Sequence, residues 1–310
     1  MLLQKNIQLK RYNTFGISAE AEYFLSVQSV QNIQECLEEF AAIAQAGLPP
    51  FPLIVGGGSN ILLTADVSGL VLKNDIEGFE VVQEDDQYVF VKVGAGENWH
   101  QFVLECIKRK LAGVENLSLI PGSVGAAPMQ NIGAYGVEVK DVFSELEAFH
   151  LNEKKVFTFC KADCQFGYRE SIFKKELKNQ FVITSVTFQL LKKPIYNISY
   201  GAIKQELDSM GVKDLSIEVI SQAVINIRSS KLPDWKILGN AGSFFKNPMV
   251  SINQFESIKN EYQNIPSFPG NGLAVKVPAG WLIEKCGWKG YRKKDAGCYE
   301  KQALVLVNFG

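Results

Sequence analysis

The chain has only two histidines, His100 and His150, among 310 residues. That leaves little raw material for a histidine-based metal centre or a Ser-His-Asp triad. Cysteine is sparse as well, and six in a chain this long do not make a disulfide scaffold. Cys160 and Cys164 have no histidine nearby, so their spacing predicts no zinc site. An excess of either charge is missing: the formal net charge is −1, which argues against a nucleic-acid surface. No apolar run approaches the length of a membrane span, and the start, Met1-Leu2-Leu3-Gln4-Lys5-Asn6, lacks the apolar core of a signal peptide. These absences predict a reduced cytoplasmic protein with neither membrane nor nucleic-acid partners. Hydrophobic residues make up 46% of the chain and charged residues 21%, enough for ordinary cores. The length favours two or three domains over one.

The common phosphate-binding signatures are missing too. In Gly56-Gly57-Gly58-Ser59-Asn60, Ile61 stands where a dinucleotide fingerprint puts its third glycine. Gly94-Ala95-Gly96-Glu97-Asn98-Trp99 fails the same test, and no Gly-Lys-Ser/Thr occurs. Pro121 takes the first-glycine place that a nucleophile elbow at Gly122-Ser123-Val124-Gly125 would need. A Rossmann fold, a Walker loop and a nucleophile elbow are thereby disfavoured. What is present is a pair of glycine-rich, charge-poor loops, 56–60 and 119–136. Glycines let backbone N–H groups approach a pyrophosphate closely, and Ser59 and Asn60 can add side-chain donors. A single such loop is more often a tight turn. A pair, the second about 18 residues long and without evident secondary structure, reads as a cofactor cradle.

Periodicity and capping predict helices over 29–47, 97–111 and 216–228. Ser29 can cap the first, Val30, Ile33, Leu37 and Phe40 share a face, and Gly47 stops it. Strands are predicted near 51–55, 70–73, 79–83, 88–93, 144–150, 155–159, 181–190 and 303–307, the segment 181–188 being rich in β-branched and aromatic residues. Pro233 marks a plausible domain boundary. Two further stretches carry chemistry. Residues 239–248 set one hydroxyl, Ser243, among glycines beside Lys246 and Asn247, and residues 164–174 offer the guanidinium of Arg169. A proton donor, an anion-stabilising cation and a cofactor cradle together suggest a reductase. The plainer readings are a turn-capping Ser243, an Arg169–Glu170 surface pair, a core Trp281 and structural roles for His100 and His150.

Longer motifs follow in order along nearly the whole chain. They are Asn13-Thr14-Phe15-Gly16, Gly57-Gly58-Ser59-Asn60, Pro121-Gly122-Ser123-Val124-Gly125-Ala126, Gln130-Asn131-Ile132-Gly133-Ala134-Tyr135-Gly136, Tyr168-Arg169-Glu170-Ser171, Arg228 with Lys231-Leu232-Pro233, residues 239–248 and Ala279-Gly280-Trp281-Leu282-Ile283-Glu284. In order and spacing they resemble the UDP-N-acetylenolpyruvoylglucosamine reductase family, flavoenzymes of peptidoglycan precursor synthesis. The resemblance implies an α+β fold. Its FAD-binding region, of the vanillyl-alcohol-oxidase/p-cresol-methylhydroxylase type, would span two subdomains, 1–73 and 74–232, ahead of a substrate domain over 233–310. It also implies non-covalent FAD, NADPH as co-substrate, and reduction of UDP-N-acetylglucosamine enolpyruvate to UDP-N-acetylmuramate by a cytoplasmic monomer.

Carried over residue by residue, the resemblance makes Gly56, Gly57, Gly58, Ser59, Asn60, Pro121, Gly122, Ser123, Gly125, Ala126, Asn131, Gly133, Ala134 and Tyr135 cofactor-binding. Arg169 matches the catalytic arginine that stabilises the enolate carboxylate, and Ser243 matches the proton donor. Tyr200, Arg228, Lys231, Asn247 and Lys276 are implied for the UDP-sugar. Ile198-Ser199-Tyr200-Gly201 is similar to the insertion that closes a tyrosine over substrate in one form of the enzyme. The family pattern continues past the stretch matching 302–308 into a segment carrying a third catalytic residue, a glutamate. This chain stops at Phe309-Gly310, so impaired catalysis is expected, and neither Glu284 nor Glu300 takes that place. The alternatives are a non-catalytic protein binding FAD or a UDP-sugar, and a sugar oxidase of the same flavin superfamily. Those oxidases often anchor flavin to His or Cys, and neither histidine lies in a matching loop.

Overall fold

Strand-forming residues of the first quarter assemble one sheet. The computed structural model describes residues 3–43, 48–49, 51–270 and 272–310. β1 (Gln4–Gln8), β2 (Glu20–Val27), β3 (Leu53–Val55) and β4 (Val67–Asn74) form a sheet in the order β1-β2-β4-β3. β4 runs parallel to both β2 and β3. Parallel neighbours need a crossover, and α1 (Val30–Ile43) lies between β2 and β3 in the chain. Ser29 Oγ accepts the Asn32 N–H at 3.1 Å, the expected cap. Ile33 and Cys36 bury against Tyr23, Leu25, Leu70 and Leu72 of the sheet. The stop expected at Gly47 lies outside the described residues.

The chain then runs through β5 (Phe79–Glu84), β6 (Tyr88–Gly94), α2 (Trp99–Lys108), α3 (Ala126–Met129), the hairpin β7 (Gly133–Ala134) and β8 (Val137–Glu138), and α4 (Val139–Val142). β9 (Phe143–His150), β10 (Lys155–Cys160) and β11 (Phe181–Leu191) complete an antiparallel sheet ordered β10-β9-β11-β6-β5. β11 is buried almost end to end because strands flank it on both sides, which fits its β-branched and aromatic content. Asn98 Oδ1 caps α2 through the Gln101 N–H at 3.0 Å. Trp99 and Phe102 of α2 stack with Phe188 of β11 in one core, ring centroids 4.7–5.9 Å apart. α5 (Gly201–Ser209) and α6 (Ile217–Lys231) pack through Ile203, Leu207, Ala223, Val224 and Ile227. The stretch 119–136 differs from its expected lack of structure: it contains α3 and β7 and is held by the hydrogen bonds described below.

These elements make up the larger of two compact units, and the smaller combines 231–310 with 14–16 and 60–62. The smaller unit holds β12 (Gly239–Ser243), β13 (Met249–Ser251), α7 (Ile252–Glu261), β14 (Phe268–Pro269), β15 (Ala274–Lys276), α8 (Ala279–Lys285), β16 (Arg292–Lys293), β17 (Ala296–Cys298) and β18 (Val305–Asn308). Its sheets run β12-β18-β17-β16 and β13-β15-β14. The fold is α+β, and no helix among the described residues is long and apolar enough to cross a membrane.

Candidate active site

Gly56 and Gly57 leave the C-terminal end of β3 and meet the 122–125 segment backbone to backbone. A Cβ at Gly56 would lie 2.1 Å from Ser123 Oγ, and one at Gly57 would lie 2.7 Å from Gly122 Cα. Only glycine permits that approach. The second segment is itself tied down. Trp99 N–H donates to Gly122 O at 3.1 Å, Val124 N–H to Glu97 O at 2.9 Å, and Gly125 N–H to Ala95 O at 2.9 Å. The N–H groups of Gly56, Gly57, Ser59, Gly122 and Ser123 donate to no backbone carbonyl among the described residues. Amides gathered without partners form an anion nest. Beside them lies a cavity of about 110 Å³ lined by Gly56, Ser123, Gly125 and Ala126. A cleft of about 400 Å³ shares Ile54, Met129 and Phe181 with it. Apolar walls next to clustered amides suit the rings and pyrophosphate of a dinucleotide, so these residues fit FAD. Asn60 belongs to the smaller unit. Pro121 is exposed on the same loop, and Ala134 and Tyr135 lie at the β7–β8 hairpin.

Asn131, implied for the cofactor, makes its side-chain hydrogen bonds within the protein. It is fully buried, its Nδ2 donates to Glu138 Oε2 at 3.0 Å and Gly167 O at 3.1 Å, and its Oδ1 accepts the Lys140 N–H at 3.0 Å. Its side-chain donors are spent on protein.

Arg169 occupies a tight turn in which Gly167 and Glu170 exchange N–H···O bonds of 3.0 and 3.3 Å. Its φ is 57°, uncommon for a residue with a side chain. The guanidinium donates to Asn131 O at 3.3 Å and to Gly133 O. Glu170 pairs with Lys175 instead, at 3.1 Å. Arg228, on α6, donates from Nε to Leu119 O at 3.2 Å and lies beside the phenol of Tyr135. Burial pulls the Arg228 pKa down, Tyr135 offsets part of this, and the nearby charge of Arg169 lowers it further. Burial raises the Tyr135 phenol while Arg228 opposes it. Tyr200, at the N-terminus of α5, sets its ring edge-on to Tyr135 at 5.4 Å. The charge of Arg169 acts on the buried Arg228 guanidinium, and two neighbouring cations can together receive an anion. Leu119 N–H donates to His100 Nδ1 at 3.0 Å, so the imidazole serves structure, as expected.

In the smaller unit Ser243 ends β12 opposite Val305, after a register shift that follows Asn240. Gly242 supplies the positive φ of that bulge, 70°, and its N–H donates to Asn240 Oδ1 at 3.1 Å. Ser243 re-enters the ladder after the bulge and is exposed. Asn247 Oδ1 accepts the Ala279 N–H at 2.9 Å, fixing the start of α8. Lys276 of β15 faces Met249 across the ladder with Nζ 5.7 Å from the Phe268 ring, and Lys231 is the exposed last residue of α6. Trp281 packs on Tyr262 and the Phe255–Ile265–Val277 cluster, a core role as expected.

Residues 21–154 match the FAD binding domain family, and residues 233–310 match the family described as UDP-N-acetylenolpyruvoylglucosamine reductase, C-terminal domain. The chain is 49% identical to the UDP-N-acetylenolpyruvoylglucosamine reductase of Flavobacterium johnsoniae, across 100% of this chain and 90% of that one. The reductase of the same name from Amoebophilus asiaticus is also 49% identical over the same shares. That of Pseudomonas putida is 46% identical over 99% of this chain and 89% of its own. Among solved structures, the UDP-N-acetylenolpyruvylglucosamine reductase of Thermus caldophilus matches with a TM-score of 0.67 across 100% of this chain and 90% of that one. At 22% identity that last likeness speaks for the fold alone. With near-half identity sustained along its whole length, the chain belongs to the UDP-N-acetylenolpyruvoylglucosamine reductase family.

Proposed function

We propose that this chain is a cytoplasmic, NADPH-dependent flavoenzyme that reduces UDP-N-acetylglucosamine enolpyruvate to UDP-N-acetylmuramate. The observation that carries the reading is the Arg169–Arg228 pair, built on the same 119–136 stretch that supplies the amide cradle. In this reading 1–73 and 74–232 are the FAD-binding subdomains and 233–310 the substrate domain. The open amides of Gly56, Gly57, Ser59, Gly122 and Ser123 hold the FAD pyrophosphate without a covalent link. FAD held there would supply the hydride chemistry that links NADPH to C3 of the enolpyruvyl group.

The chain's own residues handle what that transfer leaves behind. Hydride at C3 creates carbanion character at C2, delocalised into the carboxylate. The planar Arg169 guanidinium can meet that carboxylate with parallel hydrogen bonds. The carbonyls of Asn131 and Gly133 already orient it, so little reorganisation is needed as charge develops. Ser243 Oγ–H delivers the proton to C2. A serine is a weak acid, but a developing carbanion is a strong base. Tyr200, Arg228, Lys231, Asn247 and Lys276 supply the donors that the diphosphate and sugar require.

Anaerobic half-reactions test this. NADPH should bleach the flavin and the UDP-sugar should restore its colour. Ser243→Ala should leave the first step intact and slow the second by about 10²–10⁴-fold. Failure of the unchanged chain to reoxidise would favour a non-catalytic FAD or UDP-sugar binder. Equal slowing of both steps by Ser243→Ala would remove Ser243 from the proton-donor role.

A further inference from the structure

The Arg169 guanidinium is held by backbone carbonyls, and one buried side chain sits between those carbonyls and the turn that carries the arginine. That side chain is Asn131, which is 0% exposed and has a φ of 43°. Its partners define its amide orientation. Oδ1 faces an N–H, that of Lys140, while Nδ2 faces a carboxylate oxygen and a carbonyl, those of Glu138 and Gly167. Reversing the amide would set oxygen against two acceptors, so only one orientation is consistent. The Gly167 carbonyl begins the turn that puts Arg169 in the left-handed region. The carbonyl of Asn131 itself accepts from Arg169 Nη1. Asn131 therefore grips the arginine twice, once through the turn and once at the guanidinium. Ser171 Oγ adds a brace on the far side of the turn by donating to Met129 O at 2.6 Å.

We infer that Asn131 is a positioning residue for Arg169 and not a ligand of the cofactor. The inference rests on the proposed role of Arg169. Both Nδ2 hydrogens and the Oδ1 acceptor are committed within the protein, so the side chain has no donor left for a flavin or a phosphate. What it contributes is the direction of a cation that must meet a charge appearing late in the reaction. Misplacing such a group by about 1 Å can cost on the order of 10²-fold in rate. Glu138 acts one step further out. Its Oε2 also accepts from the Lys140 ammonium at 2.8 Å.

The test uses flavin-loaded protein, two Asn131 variants, Arg169→Ala and the combined variant. Asn131→Gly removes the side chain, keeps the carbonyl and tolerates the positive φ. Asn131→Asp keeps the shape and loses the donors, and it stands in if the glycine variant does not fold. Either should retain bound flavin and its reduction by NADPH, while reoxidation by the UDP-sugar slows about 10²-fold. In an Arg169→Ala background the same change should cost nothing further, because the group it positions is gone. A full additional loss in that background would mean that Asn131 acts independently and would overturn the inference. Colourless protein from both Asn131 variants would do so too, by making the residue a cofactor ligand. If Arg169→Ala alone leaves reoxidation unchanged, the reading of Arg169 falls, and the inference falls with it.

Discussion

Leu119 has a φ of 57° and is held from two sides, its N–H by His100 Nδ1 and its carbonyl by Arg228 Nε. The imidazole can accept that N–H only while Nδ1 is unprotonated. Burial first, and then the charge of Arg228, hold His100 below the ordinary histidine value of 6.5. As pH falls through that value the unfolded chain binds a proton that the folded chain refuses, so stability drops with falling pH. The loss is complete once pH passes below the folded-state value. Denaturant midpoints for the unchanged chain should therefore fall between about pH 7.5 and 5.5. His100→Asn, whose Oδ1 can accept the same N–H without titrating, should flatten part of that fall. Equal pH slopes for the two proteins would show that His100 contributes nothing to it. A lone histidine in the first turn of α2 read as structural from sequence. Its partner was hidden, because the Leu119 amide reaches it only through the fold.

At the scale of elements, strands and helix starts were legible where local signals agree. The β-branched and aromatic run over 181–190 became β11, and Ser29 capped α1 as its hydroxyl and position suggested. The 119–136 stretch was harder to read, because glycine and alanine carry little periodicity while its order comes from bonds to Glu97, Ala95 and Trp99. That order is what presents the open amides, and it makes a sharp prediction. Gly57→Val must force the 56–59 and 122–125 segments apart, because its Cβ would lie 2.7 Å from Gly122 Cα. The variant should purify colourless and melt at a lower temperature. Gly201→Ala, with nothing within 4 Å of the new Cβ, should keep its flavin. Flavin absorbance per polypeptide reads the difference, and full occupancy in Gly57→Val would sink the cradle.

At the scale of the whole molecule, the smaller unit depends on residues far away in the chain. Asn240 N–H donates to Thr14 O at 2.9 Å, Thr14 Oγ1 donates to Asn240 O at 2.6 Å, and Asn308 Nδ2 donates to Phe15 O at 3.0 Å. Hydrogen bonds of this kind contribute about 0.5–1.5 kcal/mol each, and buried Asn240 would lose two of them. An excised 231–310 fragment should therefore lack a cooperative melt, and its β12 amides should exchange quickly with solvent. A cooperative transition with β12 protected would show that 14–16 is dispensable to this unit. By itself the sequence determined several helices and strands of the larger unit, the two glycine loops and the ordered motifs that resemble one reductase family. Those signals are carried by neighbours a few residues apart, or by the residues as written. Only the tertiary structure decided which loop amides stay open, that Arg169 and Arg228 stand together, and that the Asn131 amide is spent inside the protein. Each of those depends on partners distant in sequence, and a hydrogen-bonding group is committed or left open only once the fold has chosen its partners.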